Sequence, residues 1–399
     1  MKSLPISGAT FNLTQNCNLR CSYCFTHGKS ERKMTFEMGK KCMDFIMKNV
    51  QEANINQLGR KSRTALVSFW GGEPLLEWDL IQQLVEYGEN SEFKDVVVNF
   101  TGTTNGTLMT IDKLSFLRDH QIAFMVSIDG TQETHDRYRK SSEGVGSHAI
   151  IMKNMEKALK YFPKLRARMS PYPERIDHFY EDVKYLVERG FYHLMFSPVY
   201  ELDWRYKTWE TWKTECFKVV DLIMYLRRRG IEMKIEHFTS YQIGTQRYPC
   251  GAGRWYMGFD YDGAIYPCHR FAKVSDTRPW QEKETCIGHV DVGITRPEFR
   301  TKFLNWNAED GECEKCPFVD TSPCAGGCYG TNFDLTGDMA VPSKSVCSYI
   351  KMQKEVSAYL KFCLQREQQD MVNELNKVFT MSQKSKVMED KKPFTFNKS

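Results

Sequence analysis

The sequence predicts an α/β fold in which an open, partial (β/α)6 TIM-like barrel is followed by a loop-rich domain. Six short β-rich runs alternate with longer helical patterns over the first two thirds of the 399 residues. Such alternation is typical of a parallel sheet with right-handed helical crossovers. Six units are too few for a closed eight-stranded barrel, so we expect the sheet to stay open.

The predicted strands are short runs rich in β-branched and aromatic residues, and the predicted helices are the longer stretches between them. The strands are residues 9–13, 65–69, 96–100, 122–127, 165–169 and 192–196. The helices are residues 36–50, 76–89, 111–119, 150–161, 176–189 and 204–229.

Composition divides the chain into three parts, of which residues 1–234 are the predicted barrel. From about residue 235 cysteine, glycine and turn residues become frequent, so we predict that residues 235–364 form a loop-rich domain held together by metal. Residues 365–399 are charged and contain no cysteine. We expect them to form a C-terminal tail that is mobile after Met381.

Unusual residues follow the predicted strands at their carboxyl ends. A cysteine loop follows the first strand, and Ser197-Pro198 follows the sixth. Turn residues are expected after any strand, but in parallel barrels the carboxyl ends of the strands also carry the chemistry. A functional site is therefore predicted at one rim, from Gly71-Gly72-Glu73-Pro74, Thr103-Thr104-Asn105-Gly106 and Asp129-Gly130.

Three cysteines in the first loop, Cys17, Cys21 and Cys24, have the spacing C-x3-C-x2-C. Three thiolates can bind three irons of a [4Fe–4S] cluster and leave the fourth iron open. A structural zinc site usually takes four ligands, and disulfide pairing would leave one cysteine over. Because the chain shows no export signal, its fourteen cysteines favour metal ligation over disulfides.

With Tyr23 before the third cysteine and the segment 71–74 downstream, this motif resembles the signature of radical S-adenosylmethionine (SAM) enzymes. The resemblance covers residues 9–198. It implies that the open iron of the cluster is chelated by the amino and carboxylate groups of SAM. It also implies that electron transfer from the cluster cleaves SAM and yields a 5′-deoxyadenosyl radical.

The resemblance implies SAM contacts on the following loops. Gly71 and Gly72 let backbone approach the methionine amino group, Pro74 fixes the turn, and Glu73 offers the ammonium an anionic partner. An arginine suits a carboxylate because it forms two parallel hydrogen bonds. The candidates for the ribose and the carboxylate are Thr101, Asn105, Ser127, Asp129 and Arg139. Each residue alone is equally compatible with a strand-end turn or a surface ion pair.

Seven further cysteines, together with Gly263 between the first two, resemble the SPASM domain found on radical SAM enzymes that modify peptides and proteins. The resemblance implies two auxiliary [4Fe–4S] clusters. One would be bound by Cys313, Cys316, Cys324 and Cys347, and the other by Cys250, Cys268 and Cys328. One or two zinc sites are the alternative, since C-x2-C pairs also suit zinc.

The second of these clusters has no fourth cysteine, because residues 251–256 contain none. Its fourth iron either stays open or takes Cys286, His269 or a substrate thiolate. The cysteines outside the motifs are interpreted as buried apolar residues or spectators, with one as a possible spare ligand. They are Cys42, Cys216, Cys286 and Cys363.

The resemblance implies an oxidative modification of a peptide, with two enzymatic interpretations. The first is a maturase that forms thioether or other crosslinks in a ribosomally synthesised peptide. The alternative is an anaerobic sulfatase-maturing enzyme that oxidises Cys or Ser to formylglycine. The alternative implies a catalytic aspartate, and the comparable residues 235–241 contain none, although Glu236 or His237 offers a substitute. This absence favours crosslinking, and no catalytic residue is assigned.

A non-enzymatic iron–sulfur or zinc protein that binds a partner is a third possibility, which would need neither the barrel nor the segment 71–74. The formal net charge of +5 does not suggest a nucleic-acid-binding protein. No apolar stretch suits a membrane helix, and no signal peptide is apparent, so a cytoplasmic location is expected. The expected partners are a peptide or protein substrate and a flavodoxin- or ferredoxin-type electron donor.

Overall fold

A computed structural model describes residues 5–26, 28–53, 63–239, 250–305, 313, 316, 324 and 326–389. Its strands are β1 Gly8–Asn12, β2 Thr64–Trp70, β3 Val97–Thr104, β4 Ala123–Ser127, β5 Arg166–Met169, β6 His193–Phe196, β7 Lys234–Ile235, β8 Tyr256–Phe259, β9 Ala264–Tyr266, β10 Gly288–His289 and β11 Gly293–Ile294. Its helices are α1 Phe36–Glu52, α2 Trp78–Glu89, α3 Ile111–Asp119, α4 Gln132–Tyr138, α5 His148–Tyr161, α6 Phe179–Val187, α7 Tyr206–Arg228, α8 Glu236–Thr239, α9 Pro297–Asn305, α10 Tyr329–Thr336 and α11 Lys344–Glu389.

The predicted fold class is confirmed. Strands β1 to β6 lie side by side in chain order and pair in parallel. Helices connect them, and β7 adds a further parallel strand at the β6 edge. The sheet order is β11-β10-β9-β8-β1-β2-β3-β4-β5-β6-β7, which is open rather than closed.

The two faces of the sheet differ in chemistry because side chains alternate along each strand. Phe11 and Phe69 are fully buried in the apolar core between sheet and helices. Thr10 and Ser68, which are paired in register, point the other way and line an internal cavity. The inner face therefore provides polar side chains to the interior of the barrel.

Helix α1 illustrates how the helices cover the outer face. Thr35 caps its first turn by accepting a hydrogen bond from the backbone N–H of Met38. Its buried residues recur at helical spacing, so that one stripe packs against the sheet. They are Gly39, Cys42, Met43, Ile46, Met47 and Val50.

The region after residue 250 is joined to the barrel by backbone hydrogen bonds, which the sequence analysis did not predict. Strand β8 pairs in parallel with β1, from Gly8 opposite Tyr256 to Phe11 opposite Phe259. Strands β9, β10 and β11 then continue the same sheet in antiparallel order. One sheet thus runs through both regions of the chain.

Helix α11 differs from the expected mobile tail. It crosses the predicted boundary at residue 365 and continues past Met381 to Glu389. Its first half packs against the barrel through buried Val356 and Leu360, and the Tyr359 hydroxyl donates to the Asp221 carboxylate of α7. Residues 390–399 lie outside the described residues. None of the helices described here is both long enough and apolar enough to cross a membrane.

Candidate active site

The cysteine loop after β1 lies over the carboxyl ends of the strands. Cys17, Cys21 and Cys24 all line a cavity of about 130 Å³. The loop is fixed to the segment after α4, because the Arg20 amide donates to the Lys140 carbonyl at 2.6 Å. The three thiols therefore face one space, as three ligands of one cluster must.

The environment of these thiols suits metal binding. Burial raises the pKa of Cys17 to about 11 and also raises the pKa of Cys21. Burial raises the pKa of Cys24 as well, but the Lys29 ammonium and the Thr26 hydroxyl outweigh this effect and leave the pKa lowered. The Lys29 Nζ atom lies 3.3 Å from the Cys24 Sγ atom. Buried thiols give up their protons when a metal replaces them, so the donor set fits a [4Fe–4S] cluster.

The loop after β2 is held against the cysteine loop by its backbone. Gly72 N–H donates to the Thr14 carbonyl at 2.7 Å, and Glu73 N–H donates to the Asn16 carbonyl at 2.9 Å. A Cβ atom on Gly72 would lie 1.9 Å from the Asn16 carbonyl oxygen. Only glycine fits there, which explains the second glycine of the motif in physical terms.

Glu73 is buried, and its carboxylate is engaged within the protein. The Thr104 hydroxyl and the Asn105 N–H donate to its two oxygens, each at 2.7 Å. The Leu75 N–H adds a third hydrogen bond at 3.1 Å. Burial raises the pKa of Glu73. The carboxylate thus fastens this loop to the end of β3, a role different from the expected direct pairing with an ammonium.

A buried network forms around Asp129 after β4. Its carboxylate accepts from the Arg139 Nε and Nη2 atoms at 2.7 and 3.1 Å, from the Tyr23 hydroxyl at 2.7 Å and from the Ser170 N–H at 2.8 Å. Burial alone would raise the pKa of Asp129, but Arg139 outweighs it and leaves the pKa lowered. Asp129 therefore stays charged and orients both Tyr23 and Arg139.

His135 is hydrogen-bonded to this network as a neutral imidazole. Its Nδ1 atom accepts from the Asp129 N–H at 3.3 Å. Its Nε2 atom lies 2.9 Å from the Ser147 hydroxyl, which itself donates to the Arg139 carbonyl. The proton of the neutral ring therefore belongs on Nε2. Burial lowers the pKa of His135 to about 3, consistent with this arrangement.

The structure brings most of the predicted SAM-binding residues to the cavity. Those that line it are Tyr23, Gly71, Gly72, Glu73, Asn105, Ser127 and Arg139. Pro74, Thr101 and Asp129 do not line it. The Thr101 hydroxyl donates to the Ala123 carbonyl, Pro74 is buried beneath the loop, and Asp129 acts through its partners.

Several residues that line this cavity were not predicted from the sequence. They include Trp70, Arg168, Ser170, Glu201 and Arg270. Arg168 had a weak signal, because it is a charged residue one position before the end of the predicted strand 165–169, near the rim where the site was expected. Arg270 had none, since it reaches the cavity from the distant C-terminal region.

A larger cavity of about 580 Å³ opens from the first into the interior of the barrel. On one side it is lined by barrel residues such as Thr10 and Met125. On the other side it is lined by the C-terminal cysteines Cys250, Cys268, Cys324 and Cys328. Both cavities share the residues Phe25, Trp70, Thr103, Arg168, Ser197 and Arg270.

Comparison with known families identifies the barrel. Residues 11–186 match the model of the radical SAM superfamily. This part of the chain is a radical SAM domain. Radical SAM proteins bind a [4Fe–4S] cluster and SAM. The match includes the three cysteines of the first loop, both glycines after β2 and the Asp129 network.

Relatives of this radical SAM enzyme match well beyond the barrel. The chain is 23% identical over 334 residues to a cysteine-type anaerobic sulfatase-maturating enzyme of Clostridium novyi, covering 79% of this chain and 85% of the relative. It is 21% identical over 371 residues to the radical SAM cyclopropyl synthase TigE of Paramaledivibacter caminithermalis, covering 85% and 71%.

Two solved structures have the same fold. Native anSMEcpe with bound AdoMet and Cp18Cys peptide matches with a TM-score of 0.71 at 20% identity, covering 90% of this chain and 99% of that chain. Streptococcus suis SuiB bound to precursor peptide SuiA matches with a TM-score of 0.58 at 17% identity, covering 86% and 76%. The shared fold therefore includes the cysteine-rich region that follows the radical SAM domain.

Several C-terminal cysteines of this radical SAM enzyme lie near one another. Burial raises the pKa of Cys268, and the nearby thiols of Cys328 and Cys250 add to the effect. Burial likewise raises the pKa of Cys347 to about 11, with contributions from the thiols of Cys313, Cys324 and Cys316. This proximity is compatible with the two ligand sets that the SPASM resemblance implies, which stay a prediction.

Within the described ranges, no three side chains of His, Cys, Asp or Glu are grouped so as to hold one metal ion. The choice between two [4Fe–4S] clusters and zinc at these cysteines therefore stays a prediction.

The structure separates two of the candidates for the missing fourth ligand. Cys286 is buried away from the larger cavity, and its thiol donates to the Gly288 carbonyl at 3.2 Å. His269 lines that cavity, with its ring 4.6 Å from the ring of Trp70. Its Nδ1 atom is buried and makes no hydrogen bond to the described residues. Burial lowers the pKa of His269 to about 3.

Glu236 lies far from the cavity and is a poor substitute for a catalytic base. Its carboxylate binds Arg166 at 3.0 Å and His193 at 3.1 Å. These partners are the first residues of β5 and β6, at the rim opposite to the cysteine loop. The side chain of His237 lies outside what the structure describes. In this structure Glu236 is therefore engaged in ion pairs outside both cavities.

Proposed function

We propose that this radical SAM enzyme oxidatively modifies a ribosomally synthesised peptide, most simply by forming a thioether or another crosslink. One observation carries the proposal: the small cavity at the cysteine loop opens directly into a larger cavity lined by C-terminal cysteines. A peptide segment in the larger cavity would lie between the SAM site and the auxiliary cluster. The solved relatives support a peptide substrate, since anSMEcpe and SuiB each have a structure with a bound peptide.

Different residues of the small cavity would bind the cluster and SAM. Cys17, Cys21 and Cys24 would bind the cluster, and the exposed backbone of the glycine loop would accept the methionine ammonium. Asp129 fixes the Arg139 guanidinium, which lines the cavity and suits the SAM carboxylate. When bound, SAM and its cluster supply a 5′-deoxyadenosyl radical that abstracts hydrogen from carbon.

The walls of the larger cavity would protect such a reaction. Phe25 and Trp70 stack at 5.8 Å between the two cavities, and Trp255 and Tyr349 contribute further aromatic surface. Aromatic walls exclude water, which suppresses side reactions of a reactive species. Cys250, Cys268 and Cys328 would hold one auxiliary [4Fe–4S] cluster there, and the other four cysteines a second. A flavodoxin- or ferredoxin-type protein would deliver the electrons.

The alternative function, oxidation of Cys or Ser to formylglycine, is favoured by the match to anSMEcpe, which covers more of this chain than the match to SuiB. Among the residues that the structure describes, however, no aspartate or glutamate lines the larger cavity. The carboxylates of the small cavity are Glu73 and Glu201, and both are already bonded to other residues. Crosslinking therefore remains the proposal.

The test is the mass of peptide products. Small cysteine-containing peptides encoded beside the gene would be incubated anaerobically with the reconstituted enzyme, SAM and a reductant. Loss of two hydrogens per modified site, with thiols that no longer react with an alkylating agent, would establish crosslinking. Conversion of a sulfatase-type cysteine peptide to formylglycine, with the neighbouring peptides unchanged, would establish the alternative.

Two matched variants control this experiment. Cys17→Ala should abolish SAM cleavage and product while the auxiliary clusters remain. Cys42→Ala removes a thiol of similar burial in α1, which lines neither cavity, and should keep full activity. Formation of 5′-deoxyadenosine by Cys17→Ala would show that the cluster is assigned to the wrong cysteines.

A further inference from the structure

Arg168 is a cation inside the barrel with no anionic partner in the described part of the chain. It lies on β5, in register with Ser127 of β4 and Met195 of β6, and it lines both cavities. Its only described hydrogen bond is from the Nη2 atom to the Ser197 hydroxyl, at 3.0 Å. An arginine has five N–H donors, so most of its capacity faces the cavity.

Nearby cations outweigh nearby anions around Arg168. Among the described residues, the other charged side chain on the larger cavity is Arg270, which is already paired with Glu201 and Asp334. Burial and the nearby Arg139 and Arg270 lower the pKa of Arg168, and Tyr23 and Asp129, which is itself bound to Arg139, offset this effect only in part. Placing an enclosed cation beside other cations is costly unless a ligand supplies the compensating charge.

The contrast with Arg139 and Arg166 is informative. Arg139 is neutralised by Asp129 through two hydrogen bonds, and Arg166, on the same face of β5, is paired with Glu236. Each has its counter-ion within the protein. Arg168 lies between them along the barrel, at the passage from one cavity to the other, and its counter-ion must come from a bound molecule.

We propose that Arg168 is a specificity-determining residue that binds a carboxylate of the substrate peptide, from an Asp or Glu side chain near the reacting residue. This inference rests on the proposed peptide-modifying function. The planar guanidinium favours a carboxylate because it presents two parallel N–H groups. The Ser197 hydroxyl fixes one edge of the guanidinium and leaves the other edge for the ligand.

Two other anions compete for this role and give different experimental results. The SAM carboxylate would make Arg168 part of the cofactor site, so that loss of the guanidinium would weaken SAM binding. The negative charge of an auxiliary cluster would make it an electrostatic partner of that cluster, so that its loss would shift the reduction potential. If Arg168 binds a substrate carboxylate, loss of its guanidinium should leave SAM affinity and the cluster reduction potential nearly unchanged.

The experiment is a binding competition with the cluster-loaded, SAM-bound enzyme under anaerobic conditions. The probes are synthetic decapeptides with a central cysteine, in paired pools that carry glutamate or glutamine at one position near the cysteine. All C-termini are amidated, and one further pool has a free C-terminus. Captured peptides are quantified by mass spectrometry for the wild type, Arg168→Gln, Arg168→Lys and the control Arg166→Gln.

The wild type should enrich the glutamate peptides over their glutamine partners at one position or more by at least about tenfold, as one ion pair of moderate strength provides. Arg168→Gln, which keeps a donor for Ser197, should lose this preference. Arg168→Lys should keep part of it, and Arg166→Gln should keep all of it. SAM binding and the cluster potentials should be unchanged in each variant.

The outcomes separate the possibilities. No acid preference in the wild type, or the same preference in Arg168→Gln, overturns the proposal. Enrichment of only the free C-terminus would identify a terminal carboxylate as the source of the same charge. A loss of SAM affinity or a shifted cluster potential in Arg168→Gln would assign the residue to a cofactor instead. Because the readout is binding, it is independent of whether crosslinking or formylglycine formation is the reaction.

Discussion

The Asp129–Arg139 pair allows a sharp test of how the SAM site is built. Asp129→Ala would remove a carboxylate that accepts four hydrogen bonds, two of them from Arg139. The side chains of Asp129 and Arg139 are only 2% and 7% exposed, so water cannot replace the lost partner. A buried guanidinium would remain without a counter-charge.

The size of the effect follows from this burial. Removing one member of a buried ion pair costs about 3–5 kcal/mol of unfolding free energy, since the remaining charge is uncompensated. Arg139→Gln should cost a comparable amount, and the double variant should cost clearly less than the sum. The coupling energy from the double-mutant cycle should exceed about 2 kcal/mol.

The assay is urea unfolding of the cluster-loaded enzyme under anaerobic conditions, followed for all four members of the cycle. The slope of the free energy against urea should stay constant, so that midpoint shifts report stability. Asp203→Ala is the matched control, because it breaks the Asp203–Arg205 pair, whose side chains are 76% and 80% exposed. It should cause no measurable change. Additivity of the Asp129 and Arg139 variants within about 0.5 kcal/mol would refute the argument.

Three further predictions concern the loops and the opposite rim. Gly72→Ala should reduce SAM cleavage at least about tenfold, because its Cβ would displace the Asn16 carbonyl by more than a rotamer change can absorb. Gly144→Ala is the control, because its φ of +80° makes the substitution strained but the added Cβ meets no atom and the residue does not line the cavity. Equal rates for the two variants would contradict this reasoning. His135→Gln should reduce the loss of unfolding free energy as the pH falls below 6.5. Burial lowers the pKa of His135 to about 3 in the fold, whereas it is about 6.5 in the unfolded chain. The contribution of this residue to the unfolding free energy is therefore fully present above pH 6.5 and falls by about 1.4 kcal/mol per pH unit between about pH 6.5 and pH 3. Unfolding at pH 7.5 and 5.5 measures the difference, and parallel curves would disprove it. Glu236→Gln should leave SAM cleavage and product intact while lowering the melting temperature, and loss of product alone would restore its role as a base.

The barrel was predictable because its signals are local. Strands β1 to β6 begin and end within a few residues of the predicted ranges, since most of them are short runs with apolar or β-branched residues between turn residues. Strands β8 to β11 are two to four residues long and carry no periodic pattern. Their place beside β1 depends on contacts nearly 250 residues apart, such as Gly8 with Tyr256, which a single sequence does not encode locally.

The candidate site was likewise predictable from the sequence only in part. The cysteine loop and the glycines were predictable from spacing, and the structure places them around one cavity. The roles of Glu73 and Asp129 were not, because burial and hydrogen bonding decide whether a carboxylate faces a ligand or holds the scaffold. Arg168 was missed because a charged residue near a strand end is a weak signal, and its lack of an anionic partner in the described part of the chain is visible only in the structure.

The pairing of β8 with β1 also bears on how the chain can be dissected. β1 has β2 on one side and β8 on the other, so it is an interior strand in the full chain. Cutting the chain after residue 239 would strip one side of β1 and leave a row of unsatisfied amides and carbonyls next to buried Phe11. An exposed apolar edge of this kind recruits other strands and promotes aggregation. Truncated chains that lack the C-terminal region should therefore precipitate, whatever cofactors they are offered.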